Sequence, residues 1–346
     1  MIERLLSRLY GTAVTLRNQA YENGLLRVAR ASVPVISVGN ITVGGSGKTP
    51  VVEYLLHHLL RNGCRAAVIT RGYRRETRGT VLVSDGRDHI VTARQGGDEA
   101  VQIAAKFSGL VVIADENRVR GARKASSDFD IDVIILDDAY QHRALHRDLD
   151  IVVIDAIEHL YTQRLLPAGR LREPLESLRR ADLILLSKCE PTIDVAQAQR
   201  SLSAFTNVPV FATRYVPLRI CQLASDDTSS ADALRAMKLG VFCGIALPEG
   251  FHRTLQGLGL HTVFTRDFPD HHWYDGEDID ALLVGGETTG VQAWITTEKD
   301  AVRLKDSDLW QRLGKVYYPE MAVECMGDEH ALFAHIGAQV RCAAVR

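Results

Sequence analysis

GNITVGGSGKTP, residues Gly39–Pro50, ends in the Gly47-Lys48-Thr49 triplet of a phosphate-binding loop, but Thr42 stands where the first glycine of G-x-x-x-x-G-K-[ST] belongs. The flanking sequence supplies the setting that such a loop needs. PVISVG (Pro34–Gly39) is a short apolar run, and VVEYLLHHLLRNG (Val51–Gly63) repeats apolar residues at helical spacing before an Asn-Gly stop. Strand, glycine loop, helix is the context in which the motif carries its chemistry. Gly44, Gly45 and Gly47 tolerate backbone angles that turn successive N–H groups inward, and the helix N-terminus adds partial positive charge. The expected nucleotide cradle is therefore Thr42, Val43, Gly44, Gly45, Ser46, Gly47, Lys48 and Thr49. Lys48 is expected on the β- and γ-phosphates, and the Thr49 hydroxyl on Mg²⁺.

The 346-residue chain is 46% hydrophobic and 24% charged, the profile of a globular protein with room for about two domains. Its formal net charge of -2 argues against nucleic acid as the main partner, a task that usually needs a strong basic excess. The six cysteines are scattered without a C-x-x-C pair or metal-ligand spacing, which fits a reducing cytosol. No apolar run approaches the roughly 20 residues that span a bilayer, and the N-terminus lacks a signal-peptide core, so a chain neither spanning nor secreted is expected. In the first thirty residues, Ile2, Leu5, Leu6, Leu9, Tyr10, Ala13 and Val14 share one helical face, while arginines outnumber acids. Such a basic amphipathic helix suits a membrane interface or packing against the domain, and the pattern alone leaves both open.

Downstream, strand-like apolar runs recur at 66–70, 110–114, 133–136, 151–154 and 183–186, most of them separated by helical segments. This alternation predicts an α/β fold: a mostly parallel sheet of P-loop NTPase type with helices on both faces. Phosphate loops then lie at the carboxyl ends of the strands. Near residue 206 the character changes. VPVFATRYVPLRICQL (Val208–Leu223) and VYYPEMAVEC (Val316–Cys325) read as a two-stranded connection to a smaller α/β unit, with strands over 240–246, 261–266 and 293–297. The expected organisation is a core over 1–207, a linker and smaller domain over 208–325, and a C-terminal helix over 326–346 that packs back on the core.

VIILDDAYQH (Val133–His142) is an apolar strand ending in two carboxylates, and Asp137 and Asp138 are the candidate Mg²⁺ ligands. His142 and His146 stand four apart but lack the glutamate of H-E-x-x-H, so zinc is not expected there. TRGYRR (Thr70–Arg75), RQGGDEA (Arg94–Ala100) and DENRVRG (Asp115–Gly121) fall on the same sheet edge as the phosphate loop, where Arg71, Arg74 and Arg118 would neutralise phosphate charge. Local sequence leaves Asp98 open between a helix cap and a site residue. LILLSKCE (Leu183–Glu190) is a shifted echo of the guanine-reading N-K-x-D signature, which keeps a switch GTPase as a rival.

Taken in order, SVGNITVGGSGKTP, TRGYRR, GGDEA, ILDDAYQHRAL, PAGRLREP, DHHWY and ITTEKDAVRL resemble the tetraacyldisaccharide 4'-kinase family over nearly the whole chain. Thr42 is no departure from that family, whose loop resembles G-N-x-T-x-G-G-x-G-K-T-P. The resemblance implies transfer of the γ-phosphate of ATP to the 4'-hydroxyl of an acylated glucosamine disaccharide 1-phosphate, with Mg²⁺ on Thr49, Asp137 and Asp138. It implies that Asp98 is the base, assisted by His271, with Lys48 at the transferred phosphate. It also places Tyr73, Arg118, Gln141, Arg172 and Glu173 around nucleotide or disaccharide. A peripheral position on the anionic cytoplasmic face of a bacterial inner membrane follows from the same resemblance, and no protein partner is implied.

Overall fold

All five residues of VISVG are buried, as a strand covered on both faces must be. The computed structural model describes residues 2–45, 47–87, 91–156, 163–190, 193–223, 225 and 227–340. In chain order its first half runs α1 (Ile2–Glu22), β1 (Val35–Gly39), α2 (Lys48–Arg61), β2 (Ala66–Thr70), β3 (Val81–Asp85), α3 (Ala93–Gly96), α4 (Asp98–Lys106), β4 (Val111–Ala114), α5 (Arg118–Asp128), β5 (Val133–Asp137), β6 (Leu149–Asp155), β7 (Leu183–Ser187) and α6 (Val195–Leu202). The rest is β8 (Val210–Gln222), β9 (Thr228–Ser229), α7 (Ala231–Arg235), β10 (Leu239–Cys243), α8 (Pro248–Gly257), β11 (Thr262–Asp267), α9 (Gly276–Thr289), β12 (Ala293–Ile295), α10 (Glu298–Lys305), β13 (Val316–Cys325) and α11 (Glu329–Gln339). One sheet path takes the order β11-β10-β12-β13-β8-β7-β6-β1-β5-β2-β4-β3.

Strands β7, β6, β1, β5, β2 and β4 are mutually parallel, so the loops after them share one edge. Alternate residues point to opposite faces. Ile36, Val38, Val68 and Ile135 join the cluster under α2, α4 and α11, while Val35, Ile69, Ile134 and Leu136 join the one under α5. Strand β3 is an antiparallel edge strand that the sequence reading missed. Its alternation is weak and it is only partly buried, so little periodic signal marks it.

The long strand β8 pairs parallel with β7 through Val210–Ala212 and antiparallel with β13 through Thr213–Gln222. The register shift at Glu320/Met321 leaves Leu218 outside the ladder, a bulge that bends the pair. Strands β10, β11, β12 and β13 are parallel to one another and thus run opposite to β8. Helix α11 returns to the first cluster with Leu332, Phe333 and Ile336. No helix among the described residues is long and apolar enough to cross a membrane.

Gly39 ends β1 with its Cα pressed on Tyr140, where an added Cβ would lie 2.6 Å from Tyr140 Cβ and 2.7 Å from its backbone N. That contact sets the spacing between the phosphate loop and the Asp137-Asp138 segment. Gly39→Ala is expected to destabilise the fold by about 1–3 kcal/mol through overpacking against backbone, read as a lower urea midpoint. Gly250→Ala on α8, whose Cβ meets nothing within 4 Å, should instead hold or raise the midpoint, by at most about 1 kcal/mol.

Candidate active site

The phosphate loop is tied from outside through its carbonyls. Arg170 donates to the Val43 carbonyl at 2.8 Å, Lys188 to the Gly45 carbonyl at 2.5 Å and the Tyr215 hydroxyl to the Gly47 carbonyl at 2.8 Å. Gly44 and Gly47 hold φ of 115° and 82°, angles that glycine adopts without a Cβ clash. Thr42 is buried and bridges Leu171 antiparallel, and the Val43 N–H donates to the Arg170 carbonyl. Ser46, expected in the cradle, lies outside the described residues. Thr49 is buried in the first turn of α2.

Opposite the loop, Asp137 closes β5 and Asp138 follows in the left-handed region at φ 50°. Lys48 Nζ stands 3.6 Å from Asp138 Oδ1, which also accepts Arg172 Nη1 at 2.8 Å. Gln141 donates to the Asn40 carbonyl at 2.8 Å, and Arg118, buried, donates to the carbonyls of Asp115 and Asp137. Burial, with Glu99 and Asp138 adding negative charge, pushes the Asp137 carboxyl up to about 7. Its Oδ1 is buried without a hydrogen-bond partner. Crowded carboxylates, one orphaned oxygen and the Thr49 hydroxyl form the hard-oxygen donor set that suits Mg²⁺.

Asp98, on the first turn of α4, is buried, and its Oδ2 lies 2.8 Å from His271 Nδ1 and 2.8 Å from Arg303 Nη1. Burial works to raise its pKa, but the His271 hydrogen bond and the charges of Lys299, His271 and Arg303 outweigh it and hold the carboxyl well below the usual range. Tyr73, half-exposed, sets its ring 5.3 Å from the His271 ring, and both line a small cleft with Arg74, Asp98, Trp273 and Arg303.

Glu173 is placed differently from the expectation. It is fully buried, with its carboxylate taken by Asn18 of α1 at 2.7 Å and by Arg180 at 3.0 Å. Beside it, the Tyr10 hydroxyl of α1 donates to the Arg172 carbonyl at 2.8 Å. Helix α1 therefore packs through Ser7, Gly11, Val14 and Asn18, while Ile2, Leu5, Leu6, Leu9 and Leu16 remain exposed.

Four non-glycine residues take positive φ among the described residues, and all belong to this region: Arg74, Asp138, Lys188 and His271. Strained backbone concentrated in one place points to a functional constraint there. Sequence reasoning missed Arg303, Lys299 and the loop tether of Lys188. Lys299 and Arg303 lie one turn apart in ITTEKDAVRL, on the same face of α10, but nothing local says what that face meets.

The described residues also hold a Cys243–His252–Asp267 trio. Burial, then the charges of Asp300 and Asp267, push the Cys243 thiol up, so it stays protonated and donates to Asp267, which also pairs with His252. Among the described residues, no such group includes His142 or His146. Ser187 is buried and donates to the Ile154 carbonyl, Lys188 serves the phosphate loop and Glu190 faces Arg253 at 3.6 Å, so SKCE does not assemble a guanine-reading site.

Residues 2–341 match the family model described as tetraacyldisaccharide-1-P 4'-kinase. The chain belongs to the tetraacyldisaccharide 4'-kinase family. A tetraacyldisaccharide 4'-kinase of Chlorobium phaeovibrioides is 42% identical over 304 residues, 87% of this chain and 86% of that protein. One from Anaeromyxobacter dehalogenans is 39% identical over 298 residues, 85% of this chain and 79% of that protein. The crystal structure of LpxK from Aquifex aeolicus in complex with ATP is 32% identical and aligns at a TM-score of 0.78 over 97% of both chains. The kinase fold and the sequence-level identification therefore agree, and the GTPase rival falls away.

The Lys188 ammonium bridges the Gly45 carbonyl and Asp155 Oδ2, the latter at 2.7 Å. Lys188→Met removes a charge-assisted bond worth about 1.5–3 kcal/mol, part of which holds the loop in its binding shape. The kinase variant is expected to show a KM for ATP raised about tenfold, with Tm lowered by only a few degrees. An unchanged KM would mean that the loop holds its shape without this tether.

Proposed function

We infer that the chain transfers the γ-phosphate of ATP to the 4'-hydroxyl of tetraacyldisaccharide 1-phosphate, giving the 4'-phosphorylated lipid A precursor. Family membership names the reaction, and the observation that carries the mechanism is the buried Asp98 carboxylate held by His271 beside the phosphate-loop edge. A sugar hydroxyl is a weak neutral nucleophile, so it needs a base and an in-line pose. Asp98 accepts the hydroxyl proton, the 4'-oxygen bonds to the γ-phosphorus, and the bond to the β–γ bridging oxygen breaks so that ADP leaves with that electron pair. His271 orients Asp98. Lys48 and the loop amides neutralise the charge on the γ-phosphate, and Arg118, Gln141 and Arg172 brace the acidic pair. Thr49, Asp137 and Asp138 are the residues that would hold Mg²⁺, which when bound supplies positive charge to the phosphate oxygens. Tyr73 borders the disaccharide side. Glu173 acts at a distance, by anchoring α1 next to Arg172.

The two-lobed organisation is part of the same reading: the core brings nucleotide and base, and the smaller β10–β12 unit brings His271. We further infer that α1 seats the kinase on the anionic cytoplasmic face of the inner membrane. Its packed face is small and polar while its leucines are left outward, with Leu5 59% and Leu9 60% exposed. A helix used only for packing would bury those leucines. Basic side chains beside them suit anionic headgroups, and the acyl chains of the substrate remain in the bilayer.

Incubation of the pure protein with γ-labelled ATP and the acylated disaccharide 1-phosphate should place the label on the 4'-position. Asp98→Ala and His271→Ala are each expected to lower kcat by about 10²-fold or more, with the double variant scarcely worse than the worse single one, because the two act as a unit. Strictly multiplicative losses would assign them independent roles. Separately, changing Leu5, Leu6 and Leu9 to Ser should weaken sedimentation with anionic vesicles and raise the KM for the lipid. Unchanged sedimentation and kinetics would leave α1 as a packing helix only.

A further inference from the structure

Arg303 is almost wholly buried, and its guanidinium is held at three points. Nη1 donates to Asp98 Oδ2 at 2.8 Å, and Nη2 donates to the Gly244 carbonyl at 2.8 Å and to Asp300 Oδ1. Asp300 is fixed in turn. The Gly244 N–H donates to both of its oxygens, the Tyr274 hydroxyl to Oδ1 at 2.7 Å and the Thr297 hydroxyl to Oδ2 at 2.5 Å. The same Gly244 carbonyl accepts the His271 backbone N–H at 3.0 Å. One carbonyl therefore holds both the Arg303 guanidinium and the His271 backbone.

Both grip the same oxygen, Oδ2. Oδ1 accepts the Glu99 amide at 2.9 Å and, among the described residues, no side-chain hydrogen bond. An sp² carboxylate oxygen that accepts one amide keeps a second lone pair. Charge alone does not explain the arrangement, because Lys299 and the N-terminus of α4 already favour the anion. What a guanidinium adds over an ammonium is direction, since its planar fork fixes a carboxylate in orientation as well as in charge.

We propose that Arg303 is a positioning residue of the phosphoryl transfer, pinning Oδ2 of Asp98 so that Oδ1 is presented to the acceptor hydroxyl. The proposal rests on the reading of Asp98 as the base. Phosphoryl transfer leaves little covalent chemistry to the protein and depends on placement, so a base that is held ionised and aimed serves it. The charged and titratable groups facing Asp98 are Glu99 on its own helix, His271 and Asp270 from the segment after β11, Lys299 and Arg303 from α10, and Arg74 from the loop after β2.

The sign of the pH effect follows from the contact. Asp98 works as the anion, so activity falls as pH drops through its pKa. An adjacent Arg lowers a carboxylate pKa by about 1–3 units, so losing it moves the acid limb to higher pH. In the full-length kinase, Arg303→Met should lower kcat at least about tenfold and move the acid limb of kcat/KM up by about 1–3 units, while ATP affinity by direct titration stays the same. Removing a buried partner threatens folding, so Arg303→Lys is the second variant. It keeps the charge but not the fork, and should leave the limb near its wild-type pH with kcat still reduced. An unmoved limb in Arg303→Met, or full kcat in Arg303→Lys, overturns the proposal. Asp98→Asn separates the two readings: normal turnover there removes the base itself, whereas an inactive Asp98→Asn beside an unmoved Arg303→Met limb removes only the positioning role.

Discussion

A carboxylate taken out of water between two parts of a chain has to be answered with charge and hydrogen bonds, and Asp98 imposes that requirement on the rest of the molecule. Burying an unpaired ion costs several kcal/mol even after relaxation. The compensation comes from the other half of the sequence: His271 after β11, and Lys299 and Arg303 on α10. The same seam holds a second answered charge. Lys106 on α4 contacts Glu53 of α2 at 2.7 Å, Glu298 of α10 at 2.9 Å and Glu320 of β13 at 3.4 Å. Polar contacts thus join α4 to α10, and they fix orientation where a purely apolar seam would tolerate sliding.

The nucleotide side follows a complementary logic. Side chains from outside the loop occupy the carbonyls of Val43, Gly45 and Gly47, so the loop is braced through its acceptors. Anion binding needs the donors turned the other way. Lys48 meanwhile rests 3.6 Å from Asp138, close to where a phosphate charge would replace that pairing. The acidic pair is braced by Arg172, and Arg172 is held at its carbonyl by Tyr10 of α1. The helix that presents leucines outward is thereby two hydrogen bonds from an expected metal ligand.

Much of this was legible in sequence because the signals were local. A buried parallel strand reads as a continuous apolar run, a glycine loop before a helix reads as a phosphate cradle, and an acidic pair closing a strand reads as metal chemistry. Ser46 stands outside the described residues, so its expected role has no geometry beside it. Of the two readings of α1, packing is seen through its small residues, while its exposed leucines are what the membrane proposal rests on. Glu173 follows Arg172, which does reach Asp138, but its own carboxylate is taken by Asn18 and Arg180, and nothing local says which way each residue of the pair turns.

By itself the sequence determined the α/β class, the phosphate loop from Gly39 to Pro50, the paired acids at Asp137 and Asp138 and the membership in a kinase family, each through short motifs whose meaning does not depend on distant residues. Tertiary structure alone decided the surroundings of Asp98. The strands of the smaller unit run opposite to β8, so in a flat sheet their carboxyl ends would lie on the far edge from the phosphate loop. His271 and Arg303 nonetheless meet Asp98 across 173 and 205 positions of sequence, and the β8–β13 pair that joins the two parts carries a bulge. Contacts of that separation depend on sheet twist and strand register, which no local pattern of side chains encodes.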